Sequence, residues 1–247
     1  MKRFIILLIS ISFWQISFAQ IPATQENKAG FRSEVFGGLI LHTNGWGGNF
    51  TYSKFKTYKT YNLYSLDFVN IKDPKEYRIR YQVAPGSFTS SFKYGKVNSL
   101  YNLRLSFGKQ RMLYEKQREK GVEIYFVWKA GLNTGIVKPK YLEIQNTEGV
   151  NTASQERYDP DIHNESNIFG RASLGKGLGE SKIALGGNIN AGFKFEIARD
   201  RENIFAIETG IVVDVFPTRV PILAYADKEL LFYNFYINIL FGKKYYN

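Results

Sequence analysis

Two histidines, His42 and His163, are the side chains in this sequence best suited to acid–base chemistry near neutral pH. A histidine becomes a general base when a serine or a carboxylate lies within hydrogen-bond reach of it. His42 falls near the end of a predicted first β-strand, where Ser53 or Asp67 could approach it from neighbouring strands. No Gly-x-Ser-x-Gly motif accompanies them. His42 is therefore the one catalytic candidate, and the sequence favours a protein without enzyme activity.

A possible metal site lies at Asp159 and Asp161, which flank a proline shortly before His163. Carboxylate and imidazole groups could order a loop around Ca²⁺ or another hard cation. The spacing matches no EF-hand, and acidic residues beside proline are common in turns. The sequence also contains no cysteine, which excludes disulfides and thiolate metal sites. We therefore favour an ordinary turn, with no metal and no cofactor, over a cation site.

The formal net charge of +11 indicates an anionic partner or surface. Six basic residues crowd one long connection between predicted strands: Lys72, Lys75, Arg78, Arg80, Lys93 and Lys96. They predict contact with anionic head groups such as the phosphates of lipopolysaccharide. A second basic segment, Lys109 to Lys120, points to anionic lipid of the opposite leaflet or to a periplasmic partner. Simple solubility of loops and turns accounts for these charges equally well.

The N-terminus has the layout of a secretory signal. Lys2 and Arg3 precede an apolar run from Phe4 to Trp14, and Ser17-Phe18-Ala19 then supplies small residues for cleavage. We predict a signal peptide at residues 1–19 and one domain at residues 20–247. Because the chain is exported, nucleic acid is not an expected partner.

Strict alternation near the C-terminus indicates how the domain is built. From Leu231 to Phe241 every second residue is apolar or aromatic, which predicts a strand with one apolar face. Similar patterns predict eight strands in all, near residues 33–42, 48–55, 64–68, 99–107, 122–132, 183–197, 205–215 and 231–241. Residues 167–174, in the longest connection, are expected to form one or two helical turns.

Such strands in an exported chain predict an all-β fold, a transmembrane antiparallel up-and-down β-barrel of eight strands. Ten strands and a soluble β-sandwich are the alternatives. Lipid cannot satisfy backbone hydrogen bonds, so a sheet that faces it must close into a ring. The high aromatic content of 16% suits the girdles of a membrane barrel. Connection lengths place both termini in the periplasm and the three longest connections outside the cell outer membrane.

On this register eight charged residues point into the barrel: Asp67, Arg104, Glu123, Lys129, Lys194, Glu196, Glu208 and Asp214. An eight-stranded barrel is just wide enough for side chains to fill it. Five acids and three bases therefore predict a paired polar network that closes the lumen.

Three segments carry a resemblance to a known family: Asp73-Pro74-Lys75-Glu76, the stretch from Tyr94 to Arg104, and Lys138 to Ile144. Together with the ending Phe-Gly-Lys-Lys-Tyr-Tyr at 241–246, they resemble small outer-membrane β-barrel proteins of Bacteroidetes. The resemblance implies a barrel in the outer membrane. It carries no catalytic or ligand-binding residues over to this chain.

The favoured function is a structural or adaptor role, as an accessory subunit of an envelope export, assembly or surface complex. Its expected partners are outer-membrane lipid, lipopolysaccharide and other envelope proteins. Two alternatives stay open: a barrel enzyme that uses His42 on lipid A or peptides at the outer rim, and a narrow porin.

Overall fold

The structure is a computed structural model that describes residues 31–80, 82–84, 87–88, 90–115, 121–145, 153–164, 167–173, 175–197, 202–226 and 229–246. The predicted signal peptide lies outside the described residues. In the described part of the chain, no helix is long and apolar enough to cross a membrane.

Fifteen strands account for the regular structure of these residues. In chain order they are β1 Phe31–His42, β2 Gly45–Thr57, β3 Thr60–Ile71, β4 Arg78–Ile79, β5 Gln82–Ala84, β6 Ser87–Phe88, β7 Phe92–Lys93, β8 Asn98–Tyr114, β9 Glu123–Pro139, β10 Tyr141–Gln145, β11 Ala153–Arg157, β12 Ile168–Arg171, β13 Lys182–Glu196, β14 Asn203–Val220 and β15 Glu229–Tyr246.

Eight long strands form a closed ring in the order β1, β2, β3, β8, β9, β13, β14 and β15, and β15 pairs back onto β1. Every neighbouring pair is antiparallel. The predicted all-β, eight-stranded, up-and-down barrel is confirmed. Closure also excludes the sandwich alternative, because a sandwich would leave open sheet edges.

The start of β1 and the end of β15 lie at the same end of the barrel, because the eight strands alternate in direction. We call this the terminal end; it also holds the connections at 58–59, 115–122 and 197–202. The opposite, loop end holds the connections at 43–44, 72–97, 140–181 and 221–228. The two longest connections, at 72–97 and 140–181, therefore share the end that lies away from the termini.

The long connections at the loop end contain the seven short strands. β10 is the centre of a three-stranded sheet, paired with β11 on one side and β12 on the other. The prediction of helical turns at residues 167–174 is wrong, since Ile168–Arg171 forms β12. Ile168 and Gly170 are buried while Phe169 and Arg171 are exposed, and this two-residue period lets the segment pair with β10.

The wall strands bury one face in the lumen and expose the other. Two apolar clusters fill the ends of the lumen. The terminal-end cluster includes Phe36, Leu63, Tyr125, Val127, Ile204 and Leu240. The loop-end cluster includes Ile71, Leu100, Val212, Phe216, Phe232 and Tyr236. On β3, Asp67 lies between Leu63 of the first cluster and Val69 of the second, so polar residues occupy the level between them.

Candidate functional site

The polar interior is the site to which most of the sequence predictions refer. All eight charged residues predicted to point inward lie inside the barrel, and none is more than 4% exposed. The described residues add Glu34 and Lys244, whose side chains also lie inside. These ten groups form two layers, a middle layer around Arg104 and a terminal layer around Lys194.

The strongest contact of the middle layer crosses the lumen from β8 to β14. The Arg104 guanidinium donates two hydrogen bonds to Asp214, from Nε to Oδ1 at 2.8 Å and from Nη2 to Oδ2 at 2.6 Å. Asn133 donates a further bond of 2.8 Å to Asp214 Oδ1. Such bidentate, charge-assisted pairing compensates for the removal of both charges from water.

A second part of the middle layer surrounds Glu208. Lys129 Nζ lies 3.5 Å from Glu208 Oε1, and the Tyr236 hydroxyl lies 2.8 Å from the same oxygen. Gly192 and Gly210 face the tyrosine hydroxyl, where a Cβ on either would approach it within 3 Å. The two glycines therefore make room for a large ring at this level of the lumen.

Asp67 belongs to the same layer and accepts a hydrogen bond of 2.8 Å from Ser65. Together with Arg104, Lys129, Glu208 and His42 it lines an enclosed cavity of about 10 Å³. That volume is enough for about one water molecule. The cavity therefore suits solvation of the network, and it is far too small for a lipid or a peptide.

His42 lies inside the barrel and not on its outer rim. Its Nδ1 lies 3.1 Å from Asn234 Oδ1, and its Nε2 has no hydrogen-bond partner among the described residues. Ser53 cannot approach it, because Ser53 pairs with Glu34 at the other end of β1. Asp67 lines the same cavity, but no described hydrogen bond joins it to His42. This geometry does not assemble a nucleophile and base at the rim.

The terminal layer contains two lysines and several carboxylates. Lys244 Nζ lies 2.5 Å from Glu196 and 4.0 Å from Glu34. Lys194 Nζ lies 3.6 Å from Glu196 and 3.9 Å from Glu34. It also sits over two aromatic rings, 4.7 Å from the centroid of Phe36 and 4.6 Å from that of Tyr125. The lysine is thus held by ring faces as well as by opposite charges.

The two inward charges that the sequence predictions missed lie at the terminal ends of β1 and β15. Glu34 shares the inward face of β1 with Phe36 and Ile40. Lys244 continues the even-numbered inward series of β15 after Leu240, past the predicted strand end at Phe241. Alternation within the predicted first strand would have identified Glu34, and its extension by three residues past Phe241 would have identified Lys244.

The basic residues at the loop end divide into exposed and buried groups. Lys75, Arg78 and Arg80 are exposed, and Lys72 is partly buried. Lys93 and Lys96 both donate to Glu76, and Lys96 is only 3% exposed. The structure therefore differs from the predicted head-group contact at Lys96, because the Lys96 side chain is buried and its ammonium group pairs with the Glu76 carboxylate.

The pKa values of Glu76 and Lys96 both differ from their ordinary values. Burial lowers the pKa of Lys96 to about 8, and the charge of Glu76 offsets only part of that effect. Burial opposes ionisation of Glu76 as well, but the charges of Lys96 and Lys93 outweigh it and lower the pKa of Glu76. The carboxylate therefore stays ionised and holds both lysines.

The predicted cation ligands form a turn. Asp159 Oδ1 accepts a hydrogen bond of 3.0 Å from the backbone N–H of Asp161. The backbone N–H of Asp159 donates to His163 Nδ1 at 3.0 Å. Within the described ranges, no three His, Cys, Asp or Glu side chains come together as a metal site. The contacts are those of an Asx turn closed by a histidine.

Comparisons with known proteins provide only structural likenesses. No protein-family model and no curated protein matches the chain. It is similar to neisserial surface protein A, with a TM-score of 0.42, 8% identity and coverage of 88% of this chain and 98% of that one. It is also similar to the attachment invasion locus protein Ail of Yersinia pestis in complex with the heparin analogue sucrose octasulfate, with a TM-score of 0.39, 10% identity and coverage of 87% and 99%.

A further likeness is to the N-terminal β-barrel domain of Pseudomonas aeruginosa OprF. The TM-score is 0.36 at 11% identity, with coverage of 87% of this chain and 99% of that domain. The barrel described above is established by its own strand pairing.

Proposed function

We propose that this protein is an integral barrel of a bacterial outer membrane, with both termini in the periplasm and a closed lumen. Its role is structural or adaptor-like: the loop end offers a binding surface to another envelope component. The observation that carries the proposal is the inversion of polarity, with charges inside the wall and apolar side chains outside it.

The exterior of the wall is an uncharged band. It covers the outward positions within residues 35–41, 46–52, 62–70, 101–107, 124–136, 183–195, 205–215 and 231–241, none of which is charged. Along β15 the band runs from Leu231 to Phe241, about ten residue steps and roughly 33 Å of strand. A strand tilt of about 40° converts that length to about 25 Å, which is the height of the apolar band of known membrane barrels.

The filled lumen supports a scaffold better than a porin. The two apolar clusters and the two charged layers occupy the lumen of the described barrel. Phe216 and Phe232 lie edge to face at 5.9 Å in the loop-end cluster. Ions would have to displace these rings and then break the Arg104–Asp214 pair. No observation favours the porin or the His42 enzyme.

The loop end has the features of a rigid binding surface. Its sheet has a core of its own, formed by Phe92, Leu142, Ile144, Tyr158 and Ile168. Tyr94 stacks on Tyr225 at 6.4 Å, and the Tyr225 hydroxyl donates to the carbonyl of Pro160 at 3.4 Å. Tyr225 and the nearby Ile162 remain 70% and 66% exposed. Exposed aromatic and aliphatic groups on an ordered frame are typical of protein-binding surfaces.

The exposed cations at the loop end support contact with outer-leaflet phosphates. Lys75, Arg78 and Arg80 lie on the connection that follows β3, next to the membrane band. Charge reversal at these three positions should reduce the lipopolysaccharide that co-purifies with the barrel. Unchanged retention would remove this part of the proposal.

Fractionation and conductance test the barrel itself. The mature chain should sediment with outer membranes and need detergent for extraction. It should produce no ion conductance in planar bilayers. A monodisperse protein in plain buffer would contradict membrane placement, and steady conductance would contradict the closed lumen.

The adaptor role is tested by site-specific photocrosslinking in intact cells. A photoreactive residue at Tyr225 or Ile162 should capture one envelope protein repeatedly. The same probe at Leu178, which is exposed farther along the connection that holds Ile162, is the matched control. Equal capture at all three positions, or none at Tyr225 and Ile162, would contradict an adaptor surface there.

A further inference from the structure

The outer surface of the wall carries an ordered row of polar groups near the terminal end. Across β2, β3, β8 and β9 the register aligns Lys54 with Asn62, Asn62 with Lys109, and Lys109 with Trp128. Lys109 Nζ lies 5.9 Å from the centroid of the Trp128 ring. Lys54 and Lys109 are two strands apart, about 10 Å between backbones. Both side chains can therefore reach one group placed over Asn62.

A third cation lies one step closer to the terminal end of the barrel. Arg111 is two residues beyond Lys109 on the same outward face of β8, in register with Thr60. Within the described residues no ion pair forms at Lys54, Lys109 or Arg111. The carboxylate of Glu115, four residues after Arg111, accepts a hydrogen bond of 2.8 Å from Tyr58. We call Lys54, Asn62, Lys109 and Arg111 the basic row.

The opposite side of the basic row borders the apolar band. The next outward row toward the loop end places Tyr52, Tyr64 and Phe107 on adjacent strands. Tyr52 and Tyr64 are 6.2 Å apart between ring centroids, and Tyr64 meets Phe107 edge to face at 5.6 Å. Leu66 and Leu105 continue this surface into the band. From the terminal end toward the loop end, the outer surface of the wall therefore carries first cationic, then aromatic and then aliphatic side chains.

We propose that the basic row binds the phosphate of an anionic phospholipid in the leaflet at the terminal end. The inference rests on the proposed membrane placement. Lys54, Lys109 and Arg111 supply charge and hydrogen-bond donors to the phosphate oxygens, and the Asn62 amide supplies another donor. The acyl chains follow the aromatic row and the leucines into the band.

Charge complementarity and position together select a lipid over a soluble anion. A free phosphate gains nothing from the aromatic row, whereas an anchored head group gains both the charges and the apolar surface. The terminal end also differs from the loop end, where Lys93 and Lys96 already share the carboxylate of Glu76. The basic row has no such internal anion among the described residues.

Trp128 provides a probe beside the row. The sequence has three tryptophans, Trp14, Trp46 and Trp128, and Trp14 leaves with the predicted signal peptide. A Trp46→Phe variant of the mature chain therefore reports on Trp128 alone. A Trp128→Phe variant reports on Trp46, which lies beside the tight turn at the loop end.

The experiment measures fluorescence quenching by brominated lipid in phosphatidylcholine vesicles. Brominated phosphatidylglycerol should quench Trp128 more than brominated phosphatidylcholine does, and Trp46 should show no such preference. Replacement of Lys54 and Arg111 by glutamine should reduce the preference at least about fivefold, the factor expected for one interfacial cation. The matched control, Lys75→Gln with Arg78→Gln at the loop end, should leave the preference unchanged.

Each other outcome counts against the inference. Equal quenching of Trp128 by both lipids, a preference that survives in the Lys54 and Arg111 variant, or equal loss in the loop-end control would overturn it while leaving membrane placement intact. If neither lipid quenches Trp46 or Trp128, the barrel does not lie in the bilayer, and both this inference and the proposed function fail.

Discussion

The two faces of β13 have opposite polarity and opposite exposure. On the outward face Leu185, Ile189 and Phe193 are 67%, 64% and 44% exposed, while Lys194 and Glu196 on the inward face are 0% and 4% exposed. Exposed leucine and isoleucine are unfavourable in water, and buried lysine is costly unless it is paired. The proposed membrane placement satisfies both conditions, because lipid would surround the wall while opposite charges meet inside it.

The inner face therefore serves specificity more than stability. A buried ion pair often contributes little net stability, because removing both charges from water costs about what their attraction returns. In this barrel the pair Arg104–Asp214 joins strands that are not neighbours in the ring. We interpret the network as a device that admits one strand order and one register.

The largest effect should come from breaking the strongest inner pair. Asp214→Ala leaves the Arg104 charge buried without its carboxylate, and should cost about 3–5 kcal/mol of unfolding free energy. Reversible urea unfolding in lipid vesicles measures it. The double variant Arg104→Met with Asp214→Leu removes both charges, and should recover most of that loss. A single variant within about 1 kcal/mol of the parent would contradict the importance of the pair.

A charge on the outer face should cost nearly as much. Ile237 lies near the middle of the uncharged band, so Ile237→Arg should cost about 2–4 kcal/mol in vesicles. Tyr245 lies beyond the band on the same face, and Tyr245→Arg should cost about 0–1 kcal/mol. The same urea titration compares the two. Equal costs would show that the band does not span a bilayer.

A smaller loss of unfolding free energy should follow from a methyl group added at Gly210, where the lumen has no room for it. A Cβ at Gly210 would lie 2.3 Å from the Ala191 carbonyl and 2.9 Å from the Tyr236 hydroxyl. Gly210→Ala should therefore cost about 1–3 kcal/mol through overpacking. Gly175→Ala, where a Cβ meets nothing within 4 Å, is the control and should be close to neutral. A neutral Gly210→Ala would mean that the wall shifts easily.

The smallest effect should be local and dependent on pH. The pKa of Glu76 lies below its ordinary 4.5 in the folded protein, so the stability it contributes is present above that value and is lost as pH falls through the lowered pKa. The protection factors of amides in residues 72–79 and 90–97, corrected for the intrinsic exchange rate at each pH, should fall roughly tenfold once the pH is below the lowered pKa of Glu76, or in Glu76→Gln at neutral pH, with little global change. Glu180→Gln is the control. Unchanged exchange in both conditions would contradict anchoring by Glu76.

The wall was predictable because its signal is local. Alternation from Leu231 to Phe241 assigns each side chain of β15 to a face before any partner strand is known. The same rule predicted all eight wall strands and the inward direction of the eight charges. Strand ends were less predictable: β9 continues to Pro139, past the predicted end at residue 132, because this segment pairs with both β8 and β13.

The loop end was not predictable in the same way. The sequence of residues 167–174 has no long periodic pattern, and Ile168–Arg171 within it forms a strand because β10 provides an edge to pair with. Lys96 appears in the sequence as one of six similar cations, yet Glu76 and the covering loop bury it. Neither outcome follows from the residues alone, since each depends on a partner from another part of the chain.

From the residues alone, alternation predicts a β-sheet wall with an apolar outside and a charged inside and favours eight strands over ten, because side-chain direction in a strand repeats every two residues. Which charges meet depends on the folded ring. Arg104 and Asp214 are 110 residues apart and face each other because strand order, register and closure bring β8 and β14 to opposite parts of one narrow lumen. A charge pair across the lumen depends on the order and register of all the strands, so no single segment of the sequence predicts it.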